Sequence, residues 1–328
     1  MKRYLLLFLL LCTKYTFAQD PKFSQYFASP LTLNPALTGY FDGDYRLALN
    51  MRQQWANVGN PYNTYSVSGE LKLQDENYHD DIFSIGISGL FDESFSKVLK
   101  SYTYSAGFSY YKFLDPDHNF KLGLAPQVSY VSKLLDFDAL TVASQYQNGL
   151  FNMSLPNYLD LKNDKLSYFD FNVGTNFAMS LNKFSANVGY AVYHLTRPKQ
   201  SLFNDQTIKL PLRHTINLSF RYSSEDLLDI NFSAHRMSEG ASHDLIVGSV
   251  IGFKPTYDSK MKLNTGLWYQ SNGNSFIPYV GFEVSNVAVG LNYSLFTNKI
   301  SNYQPRTFEL SIILRENSFT KFKNTCKF

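Results

Sequence analysis

Histidine is the side chain best suited to acid–base and metal chemistry near neutral pH. This 328-residue chain has six, His79, His118, His194, His214, His235 and His243. They are scattered, and no two stand at the spacing that places both imidazoles on one helix face. The sequence holds no His-Glu-x-x-His zinc helix, no Gly-x-Ser-x-Gly elbow, no phosphate-cradling glycine loop and no Cys-x-x-Cys pair. His214 falls on the apolar side of its segment and reads as an interface residue, while His235 and Arg236 read as solvated groups where a strand ends near a rim. Asn217, Asn231 and Asn292 each open an Asn-x-Ser triplet, yet residues two apart also share one face of a strand. No nucleophile–base pair, metal set or cofactor site is expected, and the chain reads as non-enzymatic.

The elements themselves carry more information. Fourteen stretches of roughly ten residues alternate apolar and polar side chains between Asp44 and Arg315. Val287, Val289, Leu291, Tyr293 and Leu295 fall on one face of their stretch, and Ala288, Gly290, Asn292 and Ser294 on the other. His214, Ile216, Leu218, Phe220 and Tyr222 likewise oppose Arg213, Thr215, Asn217, Ser219 and Arg221. Period two means strand. Strands are expected near 44–52, 64–73, 82–91, 100–113, 119–133, 167–181, 184–195, 212–222, 227–237, 243–253, 260–271, 275–284, 287–297 and 305–315. The second face is small and polar in strand after strand, which fits a transmembrane barrel whose residues alternate between lipid and lumen. The expected fold is all-β, a transmembrane antiparallel β-barrel of about 14 strands. A secreted β-sandwich or lectin also alternates, but its strands would not pair aromatic-rich faces with so polar a lining. Pro126 and Pro278 lie inside strands, each deleting a ladder donor, so bulges or locally broken pairing are expected there.

Composition agrees with a membrane barrel. Charged residues make up 17% of the chain, below the roughly 25% of soluble domains. Aromatics make up 16%, with 24 Tyr and 28 Phe, as girdles at two membrane interfaces require. Lys2 and Arg3, an apolar run Leu5–Leu11 and Thr16-Phe17-Ala18 read as a secretory signal peptide over 1–18. Its removal takes three positive charges and no acids, bringing the formal charge from +3 to zero and leaving no nucleic-acid footprint. Only Cys326 then remains, so no intrachain disulfide forms.

The connections give orientation. Asn182-Lys183 and Ser285-Asn286 are minimal turns among the even-numbered connections, whereas the long ones, 53–63, 134–166 and 196–211, are odd-numbered. Outer-membrane barrels have short periplasmic turns and long extracellular loops, so both termini are expected in the periplasm. The eight-residue even connection 74–81 breaks the pattern. Within the longest loop, 137–147 suits a short amphipathic helix.

Residues 19–43, ahead of the barrel at 44–316 and the tail at 317–328, are apolar, non-periodic and proline-rich. Such a segment is costly to leave in water and too short to be a domain, so it is expected in or under the lumen. Phe23, Tyr26, Phe27 and Leu33 should be buried, with Pro35 fixing a turn. Arg46 and Arg52, on the polar face of the first strand, are candidate partners for its carbonyls or for Asp42 and Asp44.

Phe-Ser-Gln-Tyr at 23–26, Leu-Asn-Pro-Ala at 33–36, Gly39, then Arg52-Gln-Gln-Trp55 and Pro61 resemble the opening of the PorP/SprF family. Arg213-His214 entering a strand and the terminal Cys326-Lys-Phe328 are also similar, although the proline usual after that cysteine is missing. The resemblance implies an integral outer-membrane barrel of the gram-negative type IX secretion and gliding machinery. Such a barrel assists secretion or surface anchoring of proteins carrying sorting domains. Its expected partners are such a secreted surface protein, other type IX components and outer-membrane lipid. The candidate binding residues are Phe23, Ser24, Gln25, Tyr26, Asn34, Pro35, Gly39, Arg52, Gln54 and Trp55. The alternative is a transporter or diffusion channel for small or hydrophobic solutes, since the Asn-Pro-Ala element is similar to one in fatty-acid-transport barrels with an internal hatch.

Overall fold

The structure, a computed structural model, describes residues 20–316 apart from 58, 74–80, 95–97, 137–142, 148, 153, 156–163, 201–207, 225–226, 257–258 and 298–304. The expected leader (1–18) and tail (317–328) lie outside the described residues.

Alternation is realised as strands. They are β1 (Tyr45–Gln54), β2 (Tyr62–Lys72), β3 (Ile82–Ser94), β4 (Leu99–Phe113), β5 (Phe120–Leu135), β6 (Tyr146–Gln147), β7 (Leu150–Phe151) and β8 (Lys165–Leu181). They continue as β9 (Phe184–Tyr193), β10 (Arg213–Ser224), β11 (Leu228–Glu239), β12 (Ser242–Phe253), β13 (Met261–Gln270), β14 (Ser275–Val284), β15 (Val287–Phe296) and β16 (Thr307–Glu316). All but β6 and β7 pair antiparallel with their neighbours in a closed 14-stranded barrel, sealed where β1 meets β16, from Tyr45 opposite Glu316 to Gln54 opposite Thr307. Closure leaves no edge with unpaired backbone groups, the condition for crossing a hydrocarbon layer.

The faces divide as the period requires. Leu47, Leu49, Ile216, Leu218, Val289 and Leu291 are exposed outward, while Arg46, Asn50, Thr215, Asn217, Asn292 and Ser294 are buried inward. Outward aromatics meet across strands, Phe83 with Tyr110 at 4.8 Å and Tyr130 with Phe169 at 5.3 Å between ring centroids. His214 belongs to this exterior, its Nδ1 2.8 Å from the Tyr190 hydroxyl.

Both strand prolines break pairing without a bulge. The β4–β5 register runs from Gly107 opposite Gln127 directly to Tyr110 opposite Leu124, with no slip around Pro126. The β14–β15 register passes from Phe276 opposite Leu295 to Tyr279 opposite Asn292 in the same way around Pro278. On their other sides Pro126 and Pro278 keep their places opposite Val173 and Leu267. Each proline withholds one donor from one neighbour, so the gap is one-sided.

The expected helix at 137–147 is corrected where it is described: Ala143–Gln145 is a 3-10 turn leading into the β6–β7 hairpin. Residues 137–142 lie outside the described part. Before β1 come a 3-10 turn (Tyr26–Ala28), a four-residue α-helical turn, α1 (Pro30–Leu33), and a second 3-10 turn (Pro35–Leu37). No described helix is long and apolar enough to cross a membrane.

Candidate functional site

Residues 20–43 touch inward-facing side chains from nearly every side of the barrel, so the site is built from this segment and the wall that receives it. Its backbone cannot complete a helix, because prolines at 21, 30 and 35 remove donors and cut it into single turns. The wall satisfies the polar groups left over.

Glu309 on β16, fully buried, accepts the Ser24 amide on Oε1 at 2.8 Å and the Gln25 amide on Oε2 at 2.9 Å. Gln25 Nε2 donates to the Glu309 backbone carbonyl at 3.1 Å, and Asn50 Nδ2 to the Gln25 carbonyl at 3.3 Å. Arg52 donates to the Lys22 carbonyl and stands 3.4 Å from Glu309 Oε1. Arg46 Nε and Nη2 donate to Glu70 Oε1 and Oε2 at 2.8 Å each, and Glu70 Oε2 also accepts the Gly39 amide at 3.1 Å. The acids facing the two arginines are therefore Glu70 and Glu309, not Asp42 and Asp44; the Asp42 side chain stays in the open, against Arg221. Arg46 Nη2 does reach a segment carbonyl, that of Leu37, at 3.4 Å.

Asn34 begins the second 3-10 turn. Its Oδ1 accepts the Ala36 amide at 2.9 Å, while Nδ2 donates to the Thr175 carbonyl at 3.1 Å and Asn217 Oδ1 at 3.0 Å. Pro35, buried, takes the first position of that turn, where its missing donor costs nothing. Wall hydroxyls collect the remaining carbonyls: Tyr193 donates to Leu31 at 3.0 Å, Thr215 to Leu33 at 2.6 Å, Ser109 to Thr38 at 2.7 Å, and Tyr111 to Ala36. Gly39 has φ +72° and ends the segment where any Cβ would strike Ser84 Oγ.

Apolar contacts complete the fit. Phe27 packs against Trp268 and Tyr279, which cluster with Ile246 and Ile277, and Ala28 sits with Ala48 and Ile313. Phe23 and Leu33 are buried, and Tyr26 is half-buried against His235 at 5.0 Å between centroids. His235 thus lines the lumen, 7% exposed, which corrects its reading as a solvated rim group. Arg236, the next residue, does point outward.

At the start of the segment lies a cluster invisible in the sequence. Asp20 Oδ2 is 3.0 Å from His194 Nε2 and 2.6 Å from Arg213 Nη1, and His194 Nδ1 is 2.7 Å from Asp170 Oδ2. Burial pushes the Asp20 carboxyl up, but Arg213 and His194 outweigh it and hold the acid well below the usual range. Burial likewise pulls His194 down, while Asp20 and Asp170 overcome it and raise the imidazole to about 9. Burial lowers Lys22 against the opposing pull of Asp244, 3.6 Å away.

Gln54 and Trp55 are not brought onto the segment. They line a cavity of about 960 Å³ together with Asp20, Leu31, Thr32 and Arg52, on the side of the long loops. Trp55 holds φ 61° at the rim, its ring 5.3 Å from that of Tyr62. A second cavity of about 460 Å³, lined by Tyr26, Phe27, Arg221 and Glu283, opens on the side of the short turns. The segment lies between the two.

The sequence matches the family described as "Type IX secretion system membrane protein PorP/SprF" over residues 15–314. The chain belongs to the PorP/SprF family. The stretch from Phe23 to Gly39, read in the sequence as resembling this family, is the part that meets the barrel wall. A comparison with curated proteins gives no match. Among solved structures, "CymD monoaromatic hydrocarbon channel" is similar at TM-score 0.52 and 10% identity, covering 88% of this chain and 93% of that one. A FadL homologue from Pseudomonas aeruginosa is similar at TM-score 0.51 and 10% identity, covering 86% and 92%. CdiB from Acinetobacter baumannii gives TM-score 0.44 and 6% identity, and this chain spans 60% of its length. The first two likenesses show the barrel fold and, at such identities, nothing finer.

Proposed function

We propose that this PorP/SprF-family barrel is a non-enzymatic outer-membrane component that assists secretion or surface anchoring of proteins carrying type IX sorting domains. The family match over residues 15–314 carries this reading. Other type IX secretion components are its partners, and both termini face the periplasm. Residues 20–43 act as a brace that closes the lumen, so the working surface is the loop side rather than a pore. The β6–β7 hairpin supports this. Tyr146, Leu150 and Phe151 are more than half exposed at its tip, a costly display of apolar area in water and a suitable anchor for a bound domain.

Deleting residues 21–39 tests the proposal. The barrel should still insert, should conduct ions in planar bilayers where the intact chain is silent, and should no longer display its secreted partner at the cell surface. A deletion that stays non-conducting with normal display would reduce the segment to a leader. An intact chain that conducts hydrophobic or small solutes would favour the channel reading instead.

A further inference from the structure

The cluster at the start of the segment has the parts of a metal site. Asp20, His194 and Glu239 bring three ligand atoms within 4.8 Å of one another. They come from the segment, the loop after β9 and the end of β11, so only folding assembles them. His194 Nδ1 lies 2.7 Å from Asp170 Oδ2. Asp170 accepts the hydrogen bond from Nδ1–H and fixes the ring, as carboxylates do behind metal-bound imidazoles, so that Nε2 faces the cluster and a cation there displaces the proton it shares with Asp20. Asp170 is itself held, accepting the Thr196 hydroxyl on Oδ1 at 3.1 Å.

Glu239 supplies the second observation. It is 2% exposed, and Oε2 accepts the Asp20 amide at 3.2 Å, but Oε1 is buried without a hydrogen-bond partner. An unpaired buried carboxylate oxygen is costly, and a cation removes that cost. The donors set the class of ion: a divalent cation displaces the proton through which His194 Nε2 bonds Asp20 and takes its place among Asp20, His194 and Glu239, with Arg213 beside Asp20.

We propose that Asp20, His194 and Glu239 form a divalent-cation site of the zinc class, completed by water, which ties the start of the segment to the wall. Ligands at about 2.0–2.2 Å from a tetrahedral zinc stand about 3.3 Å apart. The His194–Asp20 separation of 3.0 Å is close to that already, and Glu239 closes the remainder by side-chain rotation. One nitrogen and two carboxylate donors suit zinc, cobalt or manganese better than copper(I) or calcium. The site does not depend on the secretion reading, because it is read on the isolated barrel.

The test uses the full chain, purified in detergent with a tag free of histidine, stripped with chelator and titrated with Zn²⁺ and Co²⁺. One ion per folded barrel is expected, with Co²⁺ developing the visible absorption of a nitrogen–oxygen site. Glu239→Gln and His194→Asn should each weaken binding at least ~10-fold, and Asp170→Asn about 10- to 100-fold through the imidazole it orients. His235→Asn, which alters the lumen histidine beside Tyr26, should bind like wild type. Heat-modified gel mobility shows that each variant is folded. A folded wild-type barrel that binds neither ion overturns the site even if the variants fail to fold. So does undiminished affinity in Glu239→Gln and His194→Asn.

Discussion

Single residues in this barrel are constrained differently on its two faces. Leu218 and Leu291 are exposed on the outer face, 43% and 48% accessible. Arginine at either should cost about 2–4 kcal/mol if it lies near mid-membrane, measured by denaturant unfolding in lipid vesicles. Ser219, half-buried on the lumen face, should accept arginine at much smaller cost. Asn292 should not, although it shares that face, because it is 2% exposed with Nδ2 3.4 Å from Glu309 Oε2. Glu309 itself is the most consequential acid in the lumen. Changing it to Ala leaves the Ser24 and Gln25 amides and Arg52 without their carboxylate, a loss of about 3–5 kcal/mol for a broken buried ion pair. The expected readout is new protease cleavage between Phe23 and Gly39 in a barrel that still migrates as folded; an intact, protected segment would show that Glu309 is dispensable.

At the scale of elements, the segment is the unusual part. Helical turns of three and four residues have no stability of their own in water, so their conformation is imposed by the wall. The wall is shaped for it: a Cβ on Gly174 in β8 would lie 2.0 Å from Asn34 Oδ1 and 3.0 Å from the Ala36 amide. Gly174→Val should therefore displace the turn Pro35–Leu37 while leaving the ladder intact. A cysteine placed at Ala36 should react slowly with a thiol reagent in the parent barrel. In the Gly174→Val background it should react at least ~10-fold faster, as local opening worth about 1.4 kcal/mol would give. Equal rates in the two would mean that the segment shifts to make room without undocking.

At the scale of the whole molecule, one asymmetry matters. The long connections, 136–164 and 194–212, share one end of the barrel, and the two-residue turns Asn182–Lys183 and Ser285–Asn286 share the other. Asn182 and Ser285 take left-handed backbone there, φ 49° and 53°, as tight turns between antiparallel strands demand. An epitope inserted in either turn should be hidden on intact cells, and one within 134–166 should be reached by antibody. Surface labelling at Asn286 would reverse the orientation. Cavities at both ends with the segment between them divide the lumen into two vestibules.

What the sequence determines here is whatever depends on neighbours two residues apart. Alternation is local, so the number and approximate positions of the barrel strands and the inward or outward direction of Leu218 or Asn292 can be read from it, whereas the short β6–β7 hairpin, with no such run, cannot; the motif from Phe23 to Gly39 resembles the family that residues 15–314 match. The one-sided pairing gaps at Pro126 and Pro278 are half legible: a lost donor is certain, but a bulge or a gap depends on whether the neighbouring strand keeps its register. What only the tertiary structure decides is which lumen groups meet across the barrel. Glu309 closes on Ser24 and Gln25 across more than 280 positions, and Asp20 meets His194 across 174. The register of fourteen strands brings these pairs together, and no pattern of period two records it. Arg46 and Arg52 are recognisable as charges needing partners, and each does reach a segment carbonyl, of Leu37 and of Lys22, yet their acids are Glu70 and Glu309, because an enclosed charge pairs with the carboxylate closest through space rather than along the chain.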